Sequence, residues 1–129
     1  EDSSPHKNRF PDTPLSTINK WYQTVFPNRD VKSLILGKPM FGTDINAHNE
    51  FIHKEIKNDN LLRAHRLTTP KDKLEQIEKD IKEKGFQGLK VYRYFSSNGD
   101  INECNIDDNL THEQMELAND MGSVSSRHL

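Results

Sequence analysis

Cysteine is almost missing from this chain: Cys104 is the only one in 129 residues. An intramolecular disulfide and a thiolate metal cage are therefore excluded, and Cys104 reads as a buried or incidental thiol. An excess of one charge is missing as well. The 18 Lys and Arg against 20 Asp and Glu leave a formal charge of −2, which gives no reason to expect a nucleic acid partner. No run approaches the roughly 18 apolar residues that a spanning helix needs, so no membrane contact is expected. The first residues, EDSSPHKNRFPDTP, hold three prolines and lack the basic start and apolar centre of a secretory signal. A cytoplasmic location follows by default. Two catalytic signatures are also missing. Gly37–Gly42 (GKPMFG) does not continue into the GxxxxGK[ST] of a phosphate loop, and no Gly-x-Ser-x-Gly nucleophile elbow occurs.

What the chain does contain is a rhythm. Three apolar runs, Val31–Gly37 (VKSLILG), Leu61–Thr68 (LLRAHRLT) and Leu89–Phe95 (LKVYRYF), start 30 and 28 residues apart. That period is one strand, one helix and two loops. Strands joined by such crossovers return parallel and cannot pair as hairpins. The expected fold class is α/β, a series of consecutive βα units with parallel strands in one domain spanning 1–129. Residues 1–13 are an irregular lead-in and 14–129 carry the units.

Helix signals fall between the runs. Thr13-Pro14 starts a first helix whose Leu15, Ile18, Trp21, Tyr22 and Val25 share a face, and Pro27 stops it. A second runs from Thr43 or Asp44 to about Asn58, with Ile45, His48, Ile52 and Ile56 as its buried stripe. Thr69 caps a third, with Pro70 in its first turn and Asp72 against the helix dipole. Leu74, Ile77 and Ile81 form its apolar stripe, and Gly85 closes it. Thr111–Gln114 (THEQ) is a capping box for the fourth, with Leu110 and Met115 as its staple. The period then calls for a fourth strand, but SVSSRHL is too polar for a buried one. About four units fit either a small open sheet, as in flavodoxin-like domains, or part of a (β/α)8 barrel, which needs about 250 residues.

One block is more specific. Gly85–Tyr92 (GFQGLKVY), Leu110–Gly122 (LTHEQMELANDMG) and the terminal His128-Leu129 resemble the amidohydrolase superfamily, the amidohydrolase-related group of metal-dependent TIM-barrel enzymes. Relatives read similarly there: a GFKGLK strand, a xxQxELAxxxGL helix, then a strand ending in His-Leu. Trp21-Tyr22 through Phe26-Pro27 and Leu34–Gly37 fit more weakly, so the likeness spans about 14–129. It implies part of a TIM barrel, with this chain as the amino-terminal half beginning after the first strand. It also implies a divalent metal, zinc by preference, that activates water for attack on a C–N or C–O bond; some relatives decarboxylate instead. His128 would match the family's strand-five metal ligand. The family's His-x-His pair is absent among the six histidines. The chain is therefore expected to be a fragment or relative of such a hydrolase, without turnover or bound metal by itself. The alternative is a small self-contained α/β binding or interaction module without catalysis.

Within that frame, Lys90, Tyr92 and Tyr94 alternate with Leu89, Val91, Arg93 and Phe95, so the two sets face opposite sides of a strand. The polar set would face the barrel interior, where barrel enzymes bind a small-molecule substrate, and Lys90 would bring a positive charge to a carboxylate or oxyanion. His65 sits near the end of the second strand, on the side where α/β folds keep their chemistry. His48 and His53, five apart, do not share a helix face. A half-barrel also exposes sheet edges, through which copies would self-associate.

Overall fold

In a computed structural model of the chain, the described residues are 14–38, 42, 44–122 and the backbone of 124–127. The chain divides into two compact units, Glu1–Val31 and Lys32–Leu129. The first contains helix α1 (Leu15–Val25), with Pro14 at its N-cap and Pro27 beyond its end. None of its residues is buried, and Trp21 and Val25 of the expected stripe are exposed. Thr13 lies outside the described residues.

The second unit is an α/β fold. Its elements in order are β1 (Ser33–Leu36), α2 (Ile45–Ile56), β2 (Leu62–Leu67), α3 (Leu74–Lys84), β3 (Gly88–Val91), a 3-10 turn (Arg93–Phe95), α4 (His112–Asp120) and β4 (Val124–Arg127). The strands form one sheet in the order β1-β2-β3-β4, every pair parallel. The fourth strand is thus present, which corrects the argument from its polarity. Its backbone pairs along β3 from Gly88↔Val124 to Val91↔Arg127, and ladder bonds need no apolar side chain. No helix among the described residues is long and apolar enough to cross a membrane.

Neighbouring strands taken in unbroken order, with right-handed crossovers, put their helices on one side of the sheet. The core lies on that side. Leu89 and Val91 of β3 pack with Ile77 of α3, Leu110, and Ala118 of α4. Arg66 belongs to it too, because it is in register with Leu89. Its guanidinium is buried and holds Asp80 at 2.7 Å and Asp72 at 2.6 Å. Burial pushes the Asp80 carboxyl up, but hydrogen bonds from Arg66 and Lys84, with their charges, hold it below its ordinary value. Lys84 bonds Asp80 at 3.2 Å and also pairs with Glu50 of α2.

One helix end differs from the sequence reading and two do not. α3 starts at Leu74, not beside Thr69. Thr69 and Asp72 instead close a turn of their own, through Asp72 N–H to Thr69 O and Thr69 Oγ1 to Asp72 Oδ1, and Arg66 then ties Asp72 to β2. Gly85 caps α3 at φ 69°, the left-handed conformation glycine adopts at little cost. The capping box of α4 is present as read. Beyond it, Gln114 Nε2 donates to Thr69 O and to Asp72 O, each at 3.0 Å, fixing α4 to the turn before α3.

Candidate functional site

The sheet's second face carries the residues of alternate register. His65 pairs with Gly88 and Leu67 with Lys90, while Arg66 and Leu89 point the other way into the core. His65, Leu67 and Lys90 therefore share the face opposite the core of α3 and α4. The expected side-chain alternation continues one step past β3. The strand ends at Val91, where its register with β4 also ends, but Tyr92 keeps extended backbone at φ −129° and ψ 142°. Tyr92 is thus on the same side as Lys90. Its hydroxyl donates to Gly37 O at 2.6 Å, reaching from the end of β3 to the end of β1. Lys90 Nζ lies over the Tyr92 ring, 4.9 Å from its centroid.

Tyr94 does not join this set. The strand expected through Phe95 stops four residues sooner, and Tyr94 sits in the 3-10 turn. Alternation fails there because a 3-10 turn advances three residues per turn, not two. Tyr94 is 51% exposed and lines a separate cleft of about 500 Å³ at the carboxyl ends of the strands, with Ile45, Thr69, Lys71, Ser96 and Ser97. His65 is the fourth of the six residues of β2 and lines a second cleft of about 480 Å³ towards the amino ends, with Leu34, Arg63 and Gln87. This corrects its expected place on the carboxyl side, because β2 runs on to Leu67. His128 lies outside the described residues.

Lys90 and His65 are unusual for their burial, at 4% and 5% exposed. Burial pushes the Lys90 ammonium below its ordinary value. It does the same to the His65 imidazole, which the nearby Lys90 charge lowers further. Burial raises the Tyr92 hydroxyl. Among the described residues Lys90 Nζ has the Tyr92 ring as its contact and no carboxylate in ion-pair range.

The sequence reading missed Asn49. On a helix read for its apolar stripe, this buried residue donates Nδ2 to Leu67 O and accepts from Leu67 N–H, both at 2.9 Å. It extends the ladder of β2 past the point where β1 has ended. A polar residue flanked by stripe positions His48 and Ile52 was the available signal. Beside it, Gly37 is buried, and a Cβ there would lie 2.7 Å from His48 Nε2. Close approach of helix to strand, rather than a special φ, is what glycine permits here.

Among the described residues no three His, Cys, Asp or Glu side chains come together to hold a metal ion. They do not supply a site for the divalent ion that the resemblance implies. Comparison with protein-family models, curated proteins and solved structures returns no match. The amidohydrolase likeness rests on the quoted residues alone.

Proposed function

We propose that this chain is a segment, or a relative, of a βα-barrel hydrolase of the amidohydrolase type, and that it contributes substrate-facing residues, with His128 as the one metal ligand the resemblance offers. One observation supports this most: four parallel strands in unbroken sequence order, with Lys90, His65 and Tyr92 on the face opposite the core. A barrel strand directs that face inward, towards substrate. The substrate is a small molecule, and a zinc-type ion in the complete enzyme comes from residues other than those described. Neither a nucleic acid nor a membrane has a part in this reading, and the compartment is the cytoplasm. Copies self-associate through the open sheet.

The test is a spectrum of the isotope-labelled chain titrated with a panel of carboxylated amides, run beside metal analysis and a hydrolysis assay. Backbone signals of Lys90, Tyr92 and His65 should move, without turnover or stoichiometric zinc. Turnover with bound zinc would overturn the segment reading; signals that stay fixed on that face would overturn its substrate-facing role.

A second reading, the self-contained binding or interaction module, draws on the closed core of Ile77, Leu89, Val91, Leu110 and Ala118 and the buried Arg66 pairs. Such a module is monomeric and melts cooperatively at a Tm independent of concentration, whereas a self-associating segment has a Tm that rises with concentration.

A further inference from the structure

Three successive segments, those that follow β1, β2 and β3, enclose the cleft of about 500 Å³ at the carboxyl ends of the strands. Parallel α/β sheets bind their ligands at that end. The volume falls within the roughly 300–1,000 Å³ of small-molecule sites.

The walls of the cleft differ in charge. The turn after β2 contributes Thr69 and Lys71. It carries a second lysine, Lys73, and its one carboxylate, Asp72, is held by the Arg66 guanidinium at 2.6 Å. The segment after β3 contributes Tyr94 to Ser97 and Gly99. It continues through Asp100, Glu103, Asp107 and Asp108, and its one cation is Arg93, whose Nη1 donates to Ile101 O at 3.4 Å. The third wall is Ile45, and the carboxylate before it, Asp44, caps α2 through Ala47 N–H.

The hydroxyls of these walls have already given up their hydrogens. Ser96 Oγ donates to Asp100 O and Ser97 Oγ to Asp108 Oδ1, both at 3.2 Å, and Thr69 Oγ1 donates to Asp72 Oδ1 at 3.0 Å. A hydroxyl has one hydrogen and two lone pairs, so these three offer a ligand acceptors only. Tyr94 and Phe95 add aromatic area, and Tyr94 is half exposed.

We propose that this cleft binds a small zwitterionic amino acid with an apolar or aromatic side chain. The ligand's ammonium supplies the donors that the hydroxyl wall lacks, on the side where the acidic segment favours a positive charge. Its carboxylate meets Lys71, which forms no ion pair with a described residue. Its side chain lies along Tyr94, Phe95 and Ile45. An acid without the ammonium would face the acidic segment, and an amine without the carboxylate would face Lys71 unpaired. The site goes beyond the hydrolase segment proposed above and does not depend on it, since Lys90, His65 and Tyr92 are not among its lining residues.

The experiment titrates the isotope-labelled full chain with phenylalanine, with phenethylamine, which lacks the carboxylate, and with 3-phenylpropionate, which lacks the ammonium. Phenylalanine should move the backbone signals of Ile45, Thr69, Lys71, Tyr94 and Ser97 and leave those of Lys90 and His65 in place. Phenethylamine should bind about two- to fivefold more weakly, having lost one exposed ion pair. 3-Phenylpropionate should bind at least about tenfold more weakly, having lost its charge-assisted bonds. Lys71→Met, at an exposed position, should bring phenylalanine down to the affinity of phenethylamine. Tyr94→Ala should weaken both. Cleft signals that stay fixed, 3-phenylpropionate bound as tightly as phenylalanine, or a Lys71→Met chain that still prefers phenylalanine to phenethylamine would each overturn the proposal. Phenylalanine shifts confined to Lys90, His65 and Tyr92 would overturn it too and leave the hydrolase segment standing. Shifts in the cleft, beside an amide titration that leaves Lys90 unmoved, would do the reverse.

Discussion

Single polar residues decide much of how this unit holds together, and they are the part least open to reading from sequence. Asn49, Arg66, Asp80 and Gln114 look like solvent-facing positions by type, yet each is buried. Periodicity sorts residues by polarity and cannot see a partner many positions away. Asn49 shows the cost of losing one. Replacing it with Ala leaves the buried N–H and C=O of Leu67 unmet, which should destabilise the fold by about 2–4 kcal/mol in denaturant unfolding. Asp80 gives a dependence on pH. Its folded pKa is held below the ordinary carboxylate value, so its stabilising effect is complete above that value, near pH 4, and is lost as pH falls through the lower folded one. Tm should therefore drop on acidification in that window. Asp80→Asn should lower Tm at neutral pH and flatten this acid limb. Lys84 has the opposite sign: burial lowers it, but bonds to Glu50 and Asp80 raise it overall. Its contribution is complete below the ordinary lysine value and fades only as pH rises through the raised one.

At the scale of elements, local chemistry was legible wherever the signal and the partner lie in the same few residues. Thr111 and Gln114 satisfy each other across three positions, and the capping box is there as read. Gly85 ends α3 for an equally local reason. Thr69-Pro70 carried the same kind of signal and misled, because Arg66 draws Asp72 into a separate turn and the helix begins after it. The end of β3 and the presence of β4 were illegible for a related reason. Both depend on where neighbouring strands stop or start, and not on the composition of the strand itself. The cap is the element-scale test. Thr111→Ala should cost about 1 kcal/mol in unfolding free energy. Gln114→Ala should cost more, since Gln114 also bonds Thr69 O and Asp72 O, and a double-mutant cycle should show the two changes to be non-additive.

For the molecule as a whole, the 28–30-residue period conveyed the class and the parallel direction, but not the order of strands. Open doubly wound sheets and barrels share that period, because both use the same right-handed crossover. Order is fixed by which neighbour each strand chooses, and here it is β1-β2-β3-β4. That order has a consequence at edge strand β1. Leu34 and Leu36 alternate with Ile35 and lie on the face opposite the core, in register with Arg63 and His65, at 51% and 42% exposed. Leucines so exposed beside an open strand edge favour association between copies. Sedimentation velocity should show a weight-average mass that rises with concentration. Replacing both leucines with Thr keeps β-propensity and removes apolar area. The double variant should sediment as a monomer with a Tm close to that of the parent at low concentration, because neither side chain contributes to the buried core. A parent chain that stays monomeric over the same range would show that these leucines are tolerated singly in water, and the self-association proposal would fail.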